Sequence, residues 1–348
     1  MGAGIDDICV ILGLGARCDP PELVAGGSSA ACWRVRTTRG RWLVKTTPAP
    51  AAWQLREMRV SGRLERAAYE AGVPMPAPAE PAAALSGPAA PVAALSAATG
   101  IAGYWVRFDE DGRYARASAW IDGRPCAGRP SGSLAAWLGR TVAAIERLRL
   151  PGDPSAEAAY PVHPVPDWRE WLGQAVSGGI LRQTQASGAL SAVTDGTVLV
   201  KEALADGPVF RLAHRDVSRS NIVVTADGPV LIDFDYAGPE VPWWEFVHTC
   251  FNLASPILGE GPPRPELIHV ALASYAETGG AGGPARPEAF AGLVRAMLST
   301  LAYELWLAAG HRYATPERRA TAAQRVRQLA ARLPDVLGSL DSWSNLIR

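Results

Sequence analysis

The sequence predicts an α+β fold, rich in strands towards its start and mainly helical thereafter. Three observations predict it. Ala31–Thr37 and Trp42–Lys45 read as strands that flank the turn Thr38-Arg39-Gly40, a hairpin signature. From Ser133 onward, apolar residues recur at three- and four-residue intervals over long stretches, the helical period. A single short hairpin stands out within that helical region: Ile222–Thr225 and Val230–Asp233 around the turn Ala226-Asp227-Gly228-Pro229.

Taken in order, residues 3–17 predict a short helix or lead-in segment. Val10-Ile11-Leu12-Gly13-Leu14-Gly15 resembles the start of a dinucleotide fingerprint, but Cys18 stands at the third glycine position and no βαβ unit follows. The stretch reads as a helix end and a turn. Leu23–Lys45 is a hairpin with a decorated start, Gly26-Gly27-Ser28-Ser29, whose backbone N–H groups suit phosphate oxygens. Ala52–Ala71 is a helix, preceded by Pro48 and Pro50 and terminated by Gly72-Val73-Pro74. Residues 76–100 are rich in Pro and Ala and predict a surface loop. Ile101–Phe108 and Arg113–Trp120 predict two strands around the acidic turn Asp109-Glu110-Asp111-Gly112. The pattern breaks at Ile121-Asp122-Gly123-Arg124-Pro125, where a hinge would divide a lobe of residues 1–122 from one of residues 123–348.

Ser133 caps a predicted helix over Ser133–Leu148, with Leu134, Trp137, Leu138, Thr141, Ile145 and Leu148 on one face. Residues 151–166 are a Pro-rich connection. Asp167–Ala186 predicts a helix whose Trp168, Trp171, Leu172 and Val176 are core. Val198-Leu199-Val200-Lys201 imitates the strand that ends on Lys45, but nothing Gly-rich precedes it, so Lys201 reads as a surface lysine. Trp243–Leu253, Glu266–Glu277, Pro287–His311 and Pro316–Leu333 predict helices, the last with Thr315 as N-cap before Pro316.

Composition narrows the function classes. Lys+Arg and Asp+Glu both number 34 in 348 residues, so the net charge of zero points to no nucleic-acid partner. The five cysteines are scattered without C-x-x-C spacing, which predicts neither a disulfide framework nor a zinc site and suits a reducing cytoplasm. Asp6 and Asp7 stand where a secretory signal needs basic residues, and no apolar run is long enough to span a membrane. The expectation is a cytoplasmic protein, monomer or homodimer, with no membrane partner.

The chemistry lies in Arg211–Pro242. His214, Asp216 and Asn221 form an H-x-D-x-x-x-x-N run, and the strand after the turn ends on Asp233. Two carboxylates and an amide at the ends of short strands are what phosphoryl transfer from a nucleotide needs. One carboxylate accepts the proton of the attacking hydroxyl; an amide oxygen and a second carboxylate hold Mg²⁺ against the phosphates. Asp216 suits the first role, Asn221 and Asp233 the second. Upstream, a Gly-rich loop, a strand and a second strand ending in Lys45 would cover the phosphates and supply a cation to them. An acid on the following helix would hold that lysine. Glu57, Glu65 and Glu70 are candidates, Glu65 being favoured; Glu57 shares its face.

These pieces together resemble the aminoglycoside phosphotransferase and choline kinase-like superfamily. The resemblance is carried by GGSSAACWRVRTTRGRWLVK, LERAAYEAGVPMP, WIDGRP, HRDVSRSN and LIDFDYAGPEVPWWE, and it covers nearly the whole chain. It implies the bilobal protein-kinase-like fold, with a β-rich nucleotide-binding lobe and a mainly helical catalytic and substrate-binding lobe. It implies that Lys45 binds the α/β-phosphates and pairs with Glu65, and that Gly27, Ser28 and Ser29 cover the phosphates. Backbone groups near Trp120 and Ile121 would meet the base. Asp216 would be the catalytic base, Asn221 and Asp233 the Mg²⁺ ligands, and His214 a brace for the loop. Other members place the helix acid between Glu57 and Glu65, where Ser61 stands here, so either can be the partner of Lys45.

A protein kinase is the nearest rival, but Asp233-Phe234-Asp235 lacks the glycine of D-F-G, and no A-P-E follows. The expected enzyme is therefore a Mg²⁺-dependent phosphotransferase that moves the γ-phosphate of ATP, or of GTP, to an alcohol group of a small molecule. An antibiotic or related natural product comes first, in resistance or self-protection. A metabolic kinase for an amino alcohol or sugar is the alternative, as is an inactive nucleotide-binding scaffold. Asp235, Glu240, Trp243 and Trp244 are the candidates to face the acceptor, with core packing the competing role for at least one tryptophan.

Overall fold

The structure, a computed structural model, describes residues 2–24, 30–80, 104–155, 160–255, 261–312 and 314–348. The chain packs as two compact units. The first takes Met1–Ala127 with His214–Gly238, and the second Gly128–Ala213 with Pro239–Arg348.

In the first unit, helix α1 (Gly2–Ile11) precedes strands β1 (Glu22–Val24), β2 (Ala31–Thr37) and β3 (Gly40–Thr47). After α2 (Ala52–Glu70) come β4 (Val106–Arg107) and β5 (Tyr114–Ala119). The strands form an antiparallel sheet in the order β1-β2-β3-β5-β4. The β2–β3 hairpin turns at Thr38-Arg39, and Gly40, at φ 143°, takes the left-handed backbone that a side chain would strain. At the β4–β5 turn the Asp109 carboxylate accepts the Arg113 N–H at 2.9 Å. The expected strand over Ile101–Phe108 is thus short, and residues 101–103 lie outside the described residues.

Strand alternation gives this sheet two faces of opposite character. Val35, Val44, Ala115 and Ala117 point to one side, where they pack with Ile5, Ile8, Cys9 and Leu12 of α1 and its continuation. Lys45 and Arg116 are direct partners across β3 and β5, one residue out of phase with Val44 and Ala117, so they project from the other face. Helix α2 presents buried Leu64, Glu65 and Ala68. A slip of one residue in the β3–β5 register would exchange the two faces.

The rest of the first unit is a small sheet of β6 (Arg124–Pro125), β7 (Ile222–Thr225) and β8 (Gly228–Leu231), ordered β6-β7-β8. Pro229 is tolerated because β8 is an edge strand. The Leu231 N–H donates to Pro74 O at 2.8 Å and ties β8 to the turn that ends α2. Here one expectation is corrected. The strand stops at Leu231 instead of Asp233: the Ile232 N–H adds one further rung to Asn221 O (2.9 Å), but Arg219–Asn221 is a 3₁₀ turn and Asp233 takes a left-handed backbone, φ 66°.

The second unit is helical: α3 (Gly132–Glu146), α4 (Val165–Ser177), α5 (Gln183–Ala205), α6 (Pro242–Ala254), α7 (Pro265–Glu277), α8 (Ala291–Ala309) and α9 (Pro316–Ser344). Ser131, not Ser133, caps α3. Its hydroxyl accepts the Leu134 N–H at 3.2 Å, and Ser133 Oγ lies 2.8 Å from Ser131 Oγ. Leu134, Trp137, Leu138, Thr141 and Ile145 are buried, as their spacing predicts. The single helix expected over Asp167–Ala186 is two, interrupted at Gly178-Gly179, with Gly179 at φ 70°. Val198–Lys201 is helical: Ala189, Val193, Gly196 and Val200 are buried at helical intervals in α5, while Lys201 is exposed.

Helices α3 and α7 approach closely at Gly139, where a Cβ would lie 2.2 Å from Ala271 O. Between α8 and α9, buried Glu304 receives Arg318 at 2.8 and 2.9 Å and Arg325 at 2.9 Å. The last helix runs well past Leu333. Pro334 lies inside it, and buried Val336, Leu340 and Trp343 extend the apolar face beyond the proline. Thr315 caps it as expected.

Candidate active site

The catalytic run is held by backbone bonds and one imidazole. The Ser218 N–H donates to Asp216 O (2.8 Å) and the Asn221 N–H to Ser218 O (2.9 Å), which coils residues 216–221 into a tight loop before β7. His214, fully buried, accepts the Asp216 N–H on Nδ1 at 3.3 Å. Its Nε2 lies 3.3 Å from Ile232 O, which can only accept, so Nε2 carries the proton. Burial pushes the His214 pKa down to about 4, which keeps the ring neutral and preserves this pattern. Its ring also packs edge-on against Phe234, 4.5 Å between centroids. One side chain thus braces both the loop that carries Asp216 and the segment that carries Asp233. Arg215, before the first, and Asp233 share left-handed backbones (φ 62° and 66°), so both loops turn sharply at or beside a candidate site residue.

Asn221 Nδ2–H donates to Asp216 Oδ2 at 2.7 Å and to Asp216 O at 2.9 Å. Burial pushes the Asp216 pKa up to about 6, against the pull of hydrogen bonds from Asn221 and Ser218, and the Asp233 charge adds to the rise. A carboxyl poised near neutrality suits a proton acceptor.

Lys45 Nζ lies 2.7 Å from Asp233 Oδ1 and 3.0 Å from Asp235 Oδ2. Residues 188 apart in sequence meet here. Arg116 Nη1 lies 2.7 Å from Glu65 Oε2 and 3.2 Å from Asp235 Oδ1. The ordered string Asp233–Lys45–Asp235–Arg116–Glu65 alternates in sign, as buried charges must. Burial raises the Asp235 carboxyl, but Arg116 and Lys45 outweigh it and hold its pKa down to about 2. Burial also pushes Glu65 up, with Arg116 opposing.

This corrects the expected Lys45–Glu65 pair. Glu65 is the buried acid of α2, and Glu57 is half-buried. Yet Glu65 turns to Arg116, which stands directly across the ladder from Lys45 and whose Nη1 lies near two carboxylates. Arg116 is the site residue that sequence reasoning missed. The available signal was an arginine in the strand Tyr114–Ala119 between Ala115 and Ala117, but its register against Lys45 is a long-range property.

The set around Asn221 and Asp233 fits a hard cation. Asn221 spends its amide N–H on Asp216, which leaves its carbonyl oxygen to accept, and the Asp233 side chain is 38% exposed. Among the described residues no group of three or more His, Cys, Asp or Glu forms a self-sufficient metal site.

Trp120 and Ile121 follow β5; the Trp120 N–H donates to Arg41 O at 2.9 Å, and the Arg34 guanidinium lies over its ring. Gly27, Ser28 and Ser29 lie outside the described residues. The four residues expected to face an acceptor are engaged elsewhere. Asp235 is held by the two cations. In the second unit Glu240 is buried against Arg295 (2.6 Å) and accepts the Val241 N–H. Trp243 is buried on Phe246 and donates to Pro284 O (3.3 Å), and Trp244 is buried with its ring at an edge to Phe210. Large apolar rings at these helix positions gain more from the core than from solvent.

The sequence model described as "Phosphotransferase enzyme family" matches residues 22–290. No curated protein matches this sequence. Among solved structures, similarity extends to a spectinomycin phosphotransferase in complex with ADP and spectinomycin, at 12% identity over 96% of this chain and 99% of that one, TM-score 0.61. An amicoumacin kinase bound to AMP-PNP and Ca²⁺ is 12% identical over 94% and 92%, TM-score 0.60. A choline kinase from Cryptosporidium parvum is 14% identical over 94% and 93%, TM-score 0.54. At these identities the likeness is one of fold: α+β and protein-kinase-like, as expected.

Proposed function

Because the chain belongs to the phosphotransferase enzyme family, we propose that it transfers the γ-phosphoryl group of ATP or GTP to a hydroxyl group of a small molecule. One observation carries this reading: Lys45 Nζ stands 2.7 Å from Asp233 Oδ1, which joins the cation of β3 to the carboxylate downstream of the catalytic run. Asp216 accepts the proton of the acceptor hydroxyl as the new P–O bond forms and the bond from the γ-phosphorus to the departing nucleoside diphosphate breaks. Lys45 shifts its charge from Asp233 towards the nucleotide phosphates. Asn221 Oδ1 and Asp233 would hold Mg²⁺, which when bound would neutralise charge on the phosphates. His214 keeps Asp216 and Asp233 in fixed relation, so that catalysis rests on positioning and preset charge.

The acceptor class proposed first is an antibiotic or related natural product. The spectinomycin and amicoumacin enzymes among the structural relatives favour it. The choline kinase favours a second reading, an amino alcohol acceptor. Five free cysteines favour a reducing, cytoplasmic setting. Among the described residues no helix is long and apolar enough to cross a membrane.

The experiment is a phosphorylation screen. The protein is incubated with Mg-ATP or Mg-GTP and a panel of antibiotics, amino alcohols and sugars, and each acceptor is read by the mass of one added phosphoryl group. Phosphorylation lost in Asp216→Asn supports the proposal. A protein that binds neither nucleotide overturns it.

A further inference from the structure

Lys45 and Arg116 form a directly opposed cross-strand pair and project from the same face of the first sheet. Both are buried, at 8% and 6% exposure. Like charges directly opposite each other destabilise a sheet, so this pair persists only because carboxylates intervene. Asp235 lies between them, with Oδ2 3.0 Å from Lys45 and Oδ1 3.2 Å from Arg116. Glu65 takes the far side of Arg116 at 2.7 Å, and the Trp105 ring covers the guanidinium, 5.5 Å from its Cζ to the ring centroid. Ala115 and Ala117 beside it, with side chains on the opposite face, belong to the core with α1, so β5 is fixed in register by that packing.

We propose that Arg116 is a positioning residue of the phosphate-binding site, carrying the hold of Glu65 on α2 to Lys45 by way of Asp235. The inference rests on the phosphotransferase reading for its consequence and on the geometry for its existence. A direct lysine–helix pair ties the cation to one carboxylate. Here the tie runs through two intermediate residues, Arg116 and Asp235, and each can be cut separately. Asp235 remains with Lys45 when Asp233 is drawn away, so the ammonium keeps an anchor while it serves phosphate. One Arg116 guanidinium nitrogen, Nη1, lies near both carboxylates, of Glu65 and Asp235; a lysine in its place has a shorter stem, which draws its ammonium back from them.

The test measures ADP affinity, with and without Mg²⁺, by titration calorimetry on the full chain, together with urea unfolding of each protein. Glu65→Gln and Arg116→Met are each expected to weaken ADP binding about tenfold, and the double variant by the same factor, because both cut one path. Arg116→Lys keeps the charge and guards against a variant that fails to fold. It is expected to unfold near the wild-type midpoint yet bind ADP about as weakly as Arg116→Met. Losses that multiply to about a hundredfold in the double variant overturn the proposal. So does full wild-type affinity in a folded Arg116→Met or Arg116→Lys protein. If the wild type itself binds no ADP, the phosphotransferase reading fails instead. The bridge is then judged from unfolding alone, where Glu65 and Arg116 should couple by about tenfold in the unfolding constant, and independent effects overturn it.

Discussion

Asn221 Nδ2–H donates to Asp216 Oδ2 across 2.7 Å, so the amide that orients the proposed base also turns its own oxygen away from it. The two roles assigned to these residues are therefore coupled through a single side chain, and substitutions separate them.

Asp216→Asn removes the proton acceptor without removing bulk. Turnover of the acceptor found in the screen should fall by about 10²–10⁴-fold, while ADP affinity and the urea midpoint stay close to wild type. Steady-state kinetics and calorimetry on the same preparation check this. Undiminished turnover would remove Asp216 from the chemistry.

Asn221→Ala removes both the bond to Asp216 and the amide oxygen. The Mg²⁺ concentration for half-maximal turnover should rise by about 10–100-fold. A metal titration at saturating nucleotide reads it, and an unchanged metal requirement would count against Asn221 as a ligand.

His214 should make stability depend on pH. Its pKa is held at about 4 in the fold, below the ordinary value of 6.5, so between those values the unfolded chain binds a proton that the folded chain refuses. Stability is therefore greatest above pH 6.5 and is lost as pH falls towards 4. Between pH 7 and pH 5 the loss assigned to His214 is about 2 kcal/mol. Urea unfolding at the two pH values, compared with His214→Leu, isolates it: the variant is less stable at pH 7 and should show a smaller drop.

Gly139→Ala places a methyl group 2.2 Å from Ala271 O, against backbone that cannot step aside without separating α3 from α7. A loss of about 1–3 kcal/mol is expected, read as a lower urea midpoint with an unchanged slope. Gly173→Ala, with open space around its Cβ, is the control and should not lower the midpoint.

Much of the site was legible because its signals are local. His214, Asp216 and Asn221 lie within eight residues of one another, and the hairpin after them announces its turn. The helix periods of Ser133–Leu148 and of the C-terminal segment likewise depend on neighbours three and four positions away. Two segments needed more than local pattern. Val198–Lys201 imitates a strand, but the buried alanines and glycine of α5 make it one face of a helix, with Lys201 on the surface as the sequence predicts. Trp243 and Trp244 are candidates by sequence to face the acceptor, with core packing the other role for at least one; Phe246, Phe210 and Pro284 enclose both in the second unit.

By itself, then, the sequence determined which residues are candidates for the chemistry and in what order, together with the alternation that separates an apolar face of the sheet from a charged one. Tertiary structure alone decided who pairs with whom. Lys45 faces Arg116 because β3 and β5 share a register, and it reaches Asp233 and Asp235 across nearly two hundred residues of chain. Charge pairing in a buried cluster is settled by distance and geometry among side chains brought together from far apart, and neither quantity is encoded in spacing along the chain.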